Sequence, residues 1–114
     1  MRFMTLWRPG PCANRPTDEL QAEMGALIIE MRDKGVLLET GGWDPKRPST
    51  LLRSSCGKVT VTEVSFSESR ELIGGFALIE VTSKEEAIEW CKRFLTIAGE
   101  GSSELREIPE GARG

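Results

Sequence analysis

Three carboxylates and one arginine carry the chemistry that can be read from this 114-residue sequence: Glu63, Glu68, Glu71 and Arg53. The acids lie in Glu63-Val64-Ser65-Phe66-Ser67-Glu68-Ser69-Arg70-Glu71-Leu72-Ile73-Gly74-Gly75-Phe76, between an alternating segment, 58–62, and a very apolar one, 76–81. So much polarity between two apolar strands reads as a loop laid over a cavity mouth, a setting in which function tends to sit. A carboxylate at the end of a buried strand, walled by Phe66 and Phe76, is open to desolvation, which raises its pKa toward a range useful for proton transfer. Glu63 and Glu68 are therefore the candidate bases. The alternative is that they are solvated loop acids or partners of Arg70. Arg53 either grips an anionic ligand with its guanidinium fork or neutralises Glu63 or Glu68. Ser67, Glu71, Gly74, Phe66 and Phe76 join it as candidate ligand-binding residues. Trp43 and Asp44 come from a second loop fixed by Pro45 and Pro48, where an indole serves as a pocket lid or a dimer anchor. Gly74-Gly75 precedes a strand rather than a helix, so a tight strand entry competes with backbone approach to a ligand.

Composition excludes more than it assigns. The chain has no histidine and no tyrosine. The usual neutral-pH base, the Ser-His and Cys-His nucleophile pairs and His-ligated zinc are thereby removed. Cysteines 12, 56 and 91 have no CxxC spacing and read as reduced, inert thiols, so neither a metal nor a cofactor is expected. A net charge of −3 with scattered lysines and arginines gives nucleic-acid binding no electrostatic support. No apolar run approaches the roughly 20 residues that span a bilayer. The opening residues are too short and too soon charged for a signal peptide, so a cytoplasmic protein is expected.

The elements that must position these residues follow from periodicity. Residues 2–8 alternate as a strand that Pro9-Gly10-Pro11 should end. Thr17-Asp18-Glu19 opens a helix with Leu20, Met24, Leu27, Ile28 and Met31 on one face and Gly35 as its cap. Val36–Thr40 is a short strand closed by Gly41-Gly42. Thr50–Arg53 and Lys58–Thr62 form a hairpin turning at Gly57, with Val59 and Val61 facing inward. Phe76–Val81 is apolar on both faces except at Glu80 and belongs mid-sheet. Ser83 and Glu86 make a capping box for a second helix carrying Ala87, Ile88, Cys91, Phe94, Leu95 and Ala98 inward, with Gly99 closing it. A last strand, Ser103–Ile108, precedes a loose tail from about residue 109. The order β-α-β, hairpin, β-α-β predicts a single α+β domain over 1–114, a ferredoxin-like split β-α-β sheet with both helices on one face. The other face would be apolar and uncovered, which a second copy of the chain would shield.

Arg2-Phe3-Met4, Gly35-Val36-Leu37-Leu38, Thr50-Leu51-Leu52-Arg53, the acidic stretch, Gly74-Gly75-Phe76-Ala77-Leu78-Ile79-Glu80-Val81 and Glu86-Ala87-Ile88-Glu89-Trp90 together resemble the YCII-related family in its DGPF-domain branch. The resemblance covers residues 2 to about 108. It implies a dimeric α+β barrel and matches Arg53 to the family's arginine near the cleft. The family's Asp-Gly-Pro-Phe stands here as Glu63-Val64-Ser65-Phe66, without the Gly-Pro turn. The His-Asp pair proposed to be catalytic in other branches has no counterpart, because histidine is absent. Three functions remain: a homodimer binding a small anionic or aromatic molecule without catalysis; a cofactor-independent lyase or oxygenase with a Glu63 or Glu68 base and Arg53 steadying the anion; and a protein-interaction role, motivated by family members encoded beside alternative sigma factors.

Overall fold

A computed structural model describes residues 1–13, 17–42, 48–64 and 74–109, without the side chains of residues 12 and 13. The elements are β1 (Arg2–Ala13), α1 (Asp18–Asp33), β2 (Leu37–Gly42), β3 (Ser49–Ser55), β4 (Lys58–Val64), β5 (Gly75–Glu80), α2 (Lys84–Ala98) and β6 (Gly99–Ile108). Four strands form an antiparallel sheet in the order β2-β5-β1-β6, and β3 and β4 pair on their own. Each helix joins a strand to the one two places along the sheet. This is the ferredoxin-like arrangement that the sequence predicts, with a hairpin inserted between its second and third strands.

Pleating divides the sheet into two faces. Phe3, Thr5 and Trp7 of β1 stand in register with Ile79, Ala77 and Gly75 of β5. On the helix side, Phe3, Leu37, Ile79 and Val81 pack with Leu27 and Met31 of α1 and Ala87 of α2 into one buried cluster. Ile79 is only 1% exposed, as an apolar residue of a strand paired on both sides should be. On α2 the inner face includes Trp90 and Ile97 as well as Phe94.

Both helices begin and end as their sequences dictate. The Thr17 hydroxyl accepts from the Leu20 N–H, and the Ser83 hydroxyl accepts from the Glu86 N–H. Glu86 reaches back one residue further than a capping box requires, taking the Thr82 N–H and hydroxyl, and these bonds hold its carboxyl below the usual range. At the end of α1, the Gly35 N–H donates to Arg32 and the Val36 N–H to Met31, with Gly35 at φ 71°. That pairing is a Schellman motif, and the buried pair Val36 and Met31 supplies its apolar contact. Across the two helices, Arg93 Nη2 bonds Glu30 Oε1 at 2.8 Å while Nη1 bonds Oε2. The Arg93 guanidinium also lies 5.0 Å from the Trp90 ring centroid. The pair with Arg93 pulls the Glu30 carboxyl down to about 2.

Two expectations are corrected. β1 does not stop at Pro9 but continues to Ala13, with Pro9 opposite Gly101 and Ala13 opposite Gly99 across an irregularity. The prolines are tolerated because β5 begins only at Gly75, opposite Trp7, so among the described residues β1 has no paired strand on that side beyond this point. Val59 and Val61 do not face inward; each is 65% exposed. The hairpin does not join the main sheet, so its alternation has no core to face. Its turn is as predicted, with Cys56 and Gly57 at φ 50° and 79°.

Replacing Ser83 by Ala should cost about 1 kcal/mol of unfolding free energy, measured by urea titration, because it orphans the Glu86 N–H. The Glu30 carboxyl titrates lower folded than unfolded, so its contribution is present above its ordinary value of 4.5 and is lost as pH falls toward about 2. Between pH 5 and pH 2 the urea midpoint of the parent should therefore fall more steeply than that of Glu30→Gln.

Candidate functional site

β2 ends and β5 begins at one corner of the sheet, and the corner is built from glycines. Gly42 stands opposite Gly75, and Gly41 opposite Phe76. A Cβ on Gly75 would come within 2.9 Å of the Gly41 carbonyl oxygen, and one on Gly41 within 2.8 Å of the Phe76 ring. The strands can approach only because no side chain intervenes. A Cβ on Gly74 would meet Trp7 and Pro9 at 2.9 Å, and one on Gly101 would collide with the Trp7 indole. Trp7 is thus seated between two glycines, and its ring meets Phe94 edge-on at a centroid distance of 5.2 Å.

Beneath the helices, this packing leaves a cavity of about 190 Å³. Trp7, Phe94 and Trp90 wall it, and Ala77 and Ile79 of β5 belong to its lining. It extends to the glycine corner, where Thr40, Gly41, Gly75 and Phe76 line it. Among the described residues, no carboxylate, ammonium or guanidinium group lines it; besides the two indoles, its polar side chains are Thr5, Thr40, Cys91 and Ser103. The Thr40 hydroxyl donates to the Phe76 carbonyl at 2.9 Å. The Ser103 hydroxyl donates to Cys91 Sγ at 3.7 Å, and burial pushes the Cys91 thiol up, which keeps it neutral. The Thr5 hydroxyl makes no hydrogen bond among the described residues.

The residues singled out from sequence fall into three groups. Gly74 and Phe76 are at the cavity's corner, although the Gly74 N–H donates to the Trp7 carbonyl at 2.6 Å and so serves the sheet. Arg53 and Glu63 lie on the exposed hairpin, opposite Thr60 and Thr50 respectively. Strand alternation puts them on opposite faces of the ribbon, and neither lines the cavity. Glu63 ends an exposed strand rather than the buried one expected of it. Trp43, Asp44, Phe66, Ser67, Glu68 and Glu71 lie outside the described residues. Their segments attach at Gly42 and Gly74, the glycines beside the cavity's corner. Sequence reasoning missed the inner hydroxyls. Thr5 between Phe3 and Trp7 was the available signal, a polar residue on the inward row of a core strand.

The opposite face of the sheet is uncovered by any described helix. Met4 stands opposite Leu78, and Leu6 opposite Phe76. All four are half-buried. Charged pairs rim them: Arg2 with Glu80 at 3.6 Å, and Arg8 with Glu104 at 2.9 Å. Arg106 and Arg8 together hold the Glu104 carboxyl below its usual range. No described helix is long and apolar enough to cross a membrane. Among the described residues, no three acidic or cysteine side chains cluster as a metal site would require.

Comparison with known proteins gives one firm result. No curated protein matches the chain. Among solved structures, the periplasmic divalent cation tolerance protein CutA from Archaeoglobus fulgidus aligns over 100% of this chain and 87% of its own. The identity is 16% and the TM-score 0.37, a likeness that bears on neither function nor assembly. The YCII-related domain model, by contrast, matches residues 1–110. With that match running from the first strand through the last, the chain belongs to the YCII-related family.

Proposed function

We propose that this protein is a homodimeric small-molecule-binding module of the DGPF branch, acting without catalysis of its own. The observation that carries the reading is the uncharged cavity of about 190 Å³ that reaches the corner where segments 43–47 and 65–73 attach. Trp43, Asp44, Phe66, Ser67, Glu68 and Glu71 lie outside the described residues and remain candidates for ligand contact on their residue types alone. A described lining that holds no carboxylate base and no charged anion-stabilising group suits holding a molecule rather than transforming it. The enzyme reading asks Glu63 or Glu68 to act with Arg53 on one substrate; Glu63 and Arg53 stand on opposite faces of an exposed ribbon, and Glu68 lies outside the described residues.

Two apolar surfaces support self-association. One is the Met4, Leu6, Phe76, Leu78 patch with its charged rim. The other is the face of the hairpin bearing Leu52, Val59 and Val61, exposed at 62%, 65% and 65%. A lone two-stranded ribbon is marginal in water, so a partner subunit is a natural support for it. Arg53 stands on the reverse face of that ribbon and remains the candidate to hold an anionic ligand from there.

Light scattering at low micromolar concentration should give twice the chain's 12.6 kDa, and Leu78→Asp should give a monomer. A thermal-shift panel of small anionic and aromatic metabolites should yield a saturable binder that is recovered unchanged. For an anionic binder, Arg53→Ala should weaken affinity about tenfold, the scale of one lost charge-assisted hydrogen bond. Turnover that survives purification, or a parent that stays monomeric, would sink the reading.

A further inference from the structure

The reading above leaves open what the cavity holds, and its lining is selective. Three aromatic side chains, Trp7, Trp90 and Phe94, bound a space of about 190 Å³. An apolar cavity of about 150 Å³ is large enough to take a benzene ring, so one ring with a small substituent fits here. A charged group placed inside would lose its hydration with no counter-charge from the walls, because among the described residues no carboxylate or base lines them. Apart from Thr40 at the corner, the polar side chains of the lining gather around Thr5, Ser103 and Cys91. Trp7 stands opposite Ser103 and Thr5 opposite Leu105, which sets Thr5 and Ser103 diagonally on neighbouring strands of the helix-facing side. Ser103 is already engaged with Cys91, while the half-buried Thr5 hydroxyl has no partner among the described residues. An unpartnered hydroxyl against an aromatic-walled space is a place for one ligand hydroxyl or carbonyl.

We infer that the cavity is a site for a small, neutral, single-ring aromatic molecule whose one polar substituent meets Thr5. The inference rests on the binding reading given above and narrows it.

Isothermal titration of the full chain with benzyl alcohol and 4-nitrophenol tests this. Benzyl alcohol should bind saturably at one molecule per chain. Ala77→Leu, which fills the cavity from β5, should weaken that binding at least about tenfold. Thr5→Val, which keeps the side-chain shape, should weaken benzyl alcohol about three- to tenfold and leave toluene unchanged. The nitrophenol should bind about tenfold more tightly as the neutral phenol than as the phenolate, while benzyl alcohol binds equally at the two pH values. The pH comparison uses the parent protein alone, so it stands even if Ala77→Leu fails to fold. Phenolate binding as tight as phenol, or benzyl alcohol binding untouched by Thr5→Val and by a folded Ala77→Leu, would overturn the inference. An anionic aliphatic binder in a protein that accepts no ring would also overturn it while leaving the binding reading in place. A protein that accepts neither would remove both.

Discussion

The whole structure depends on β1 being hydrogen-bonded on both edges. From Arg2 to Trp7 it pairs with β5 on one side and β6 on the other, so the two β-α-β halves of the chain meet along a single strand. A strand so placed cannot shift by one residue without turning Phe3, Thr5 and Trp7 away from the helices and exchanging them for Arg2, Met4 and Leu6. The charged pairs on the open face, Arg2 with Glu80 and Arg8 with Glu104, reinforce the same register, though as exposed pairs they add little energy. Burial of Phe3 and Ile79 is what fixes it.

That division of faces has chemical consequences. The helix side is closed by apolar packing and by the Glu30–Arg93 pair between α1 and α2, with Trp90 stacked under the guanidinium. Large rings on one strand then require space on its neighbours. Trp7 obtains it from Gly74 and Gly101, and Phe76 from Gly41. The glycines therefore have a packing role before any functional one. On the helix side, the packing of Trp7, Trp90 and Phe94 leaves a space that no described side chain fills, with three hydroxyls and a thiol in its lining. No described helix covers the other face, and it is this face that the proposed dimer would bury.

Much of the fold was legible in the sequence because it rests on local signals. The Thr17 and Ser83 caps, the Gly35 and Gly99 stops and the apolar run at 76–81 each have a short-range physical cause. β1 was cut short because Pro9 and Pro11 are barriers only where an amide must donate, and whether it must depends on where β5 begins. Val59 and Val61 were misplaced for a related reason. A period of two says that a ribbon has two unlike faces but not whether anything covers either one. The candidate site was less legible. Polar residues in loops advertise themselves, whereas Thr5 and Ser103 matter only because β1 and β6 pair in one register beneath α2. Arg53 and Glu63 are near in sequence pattern and are separated by strand alternation.

The central claim is that the helix side of the sheet holds the ligand and the open side holds the partner. Intermolecular NMR contacts between unlabelled benzyl alcohol and the methyl groups of the isotope-labelled protein test it directly. Contacts to Ala77 and Ile79, with none to Met4 or Leu78, are the result the account predicts. Contacts to Met4 and Leu78 without Ala77 or Ile79 would place the ligand on the open face and contradict it.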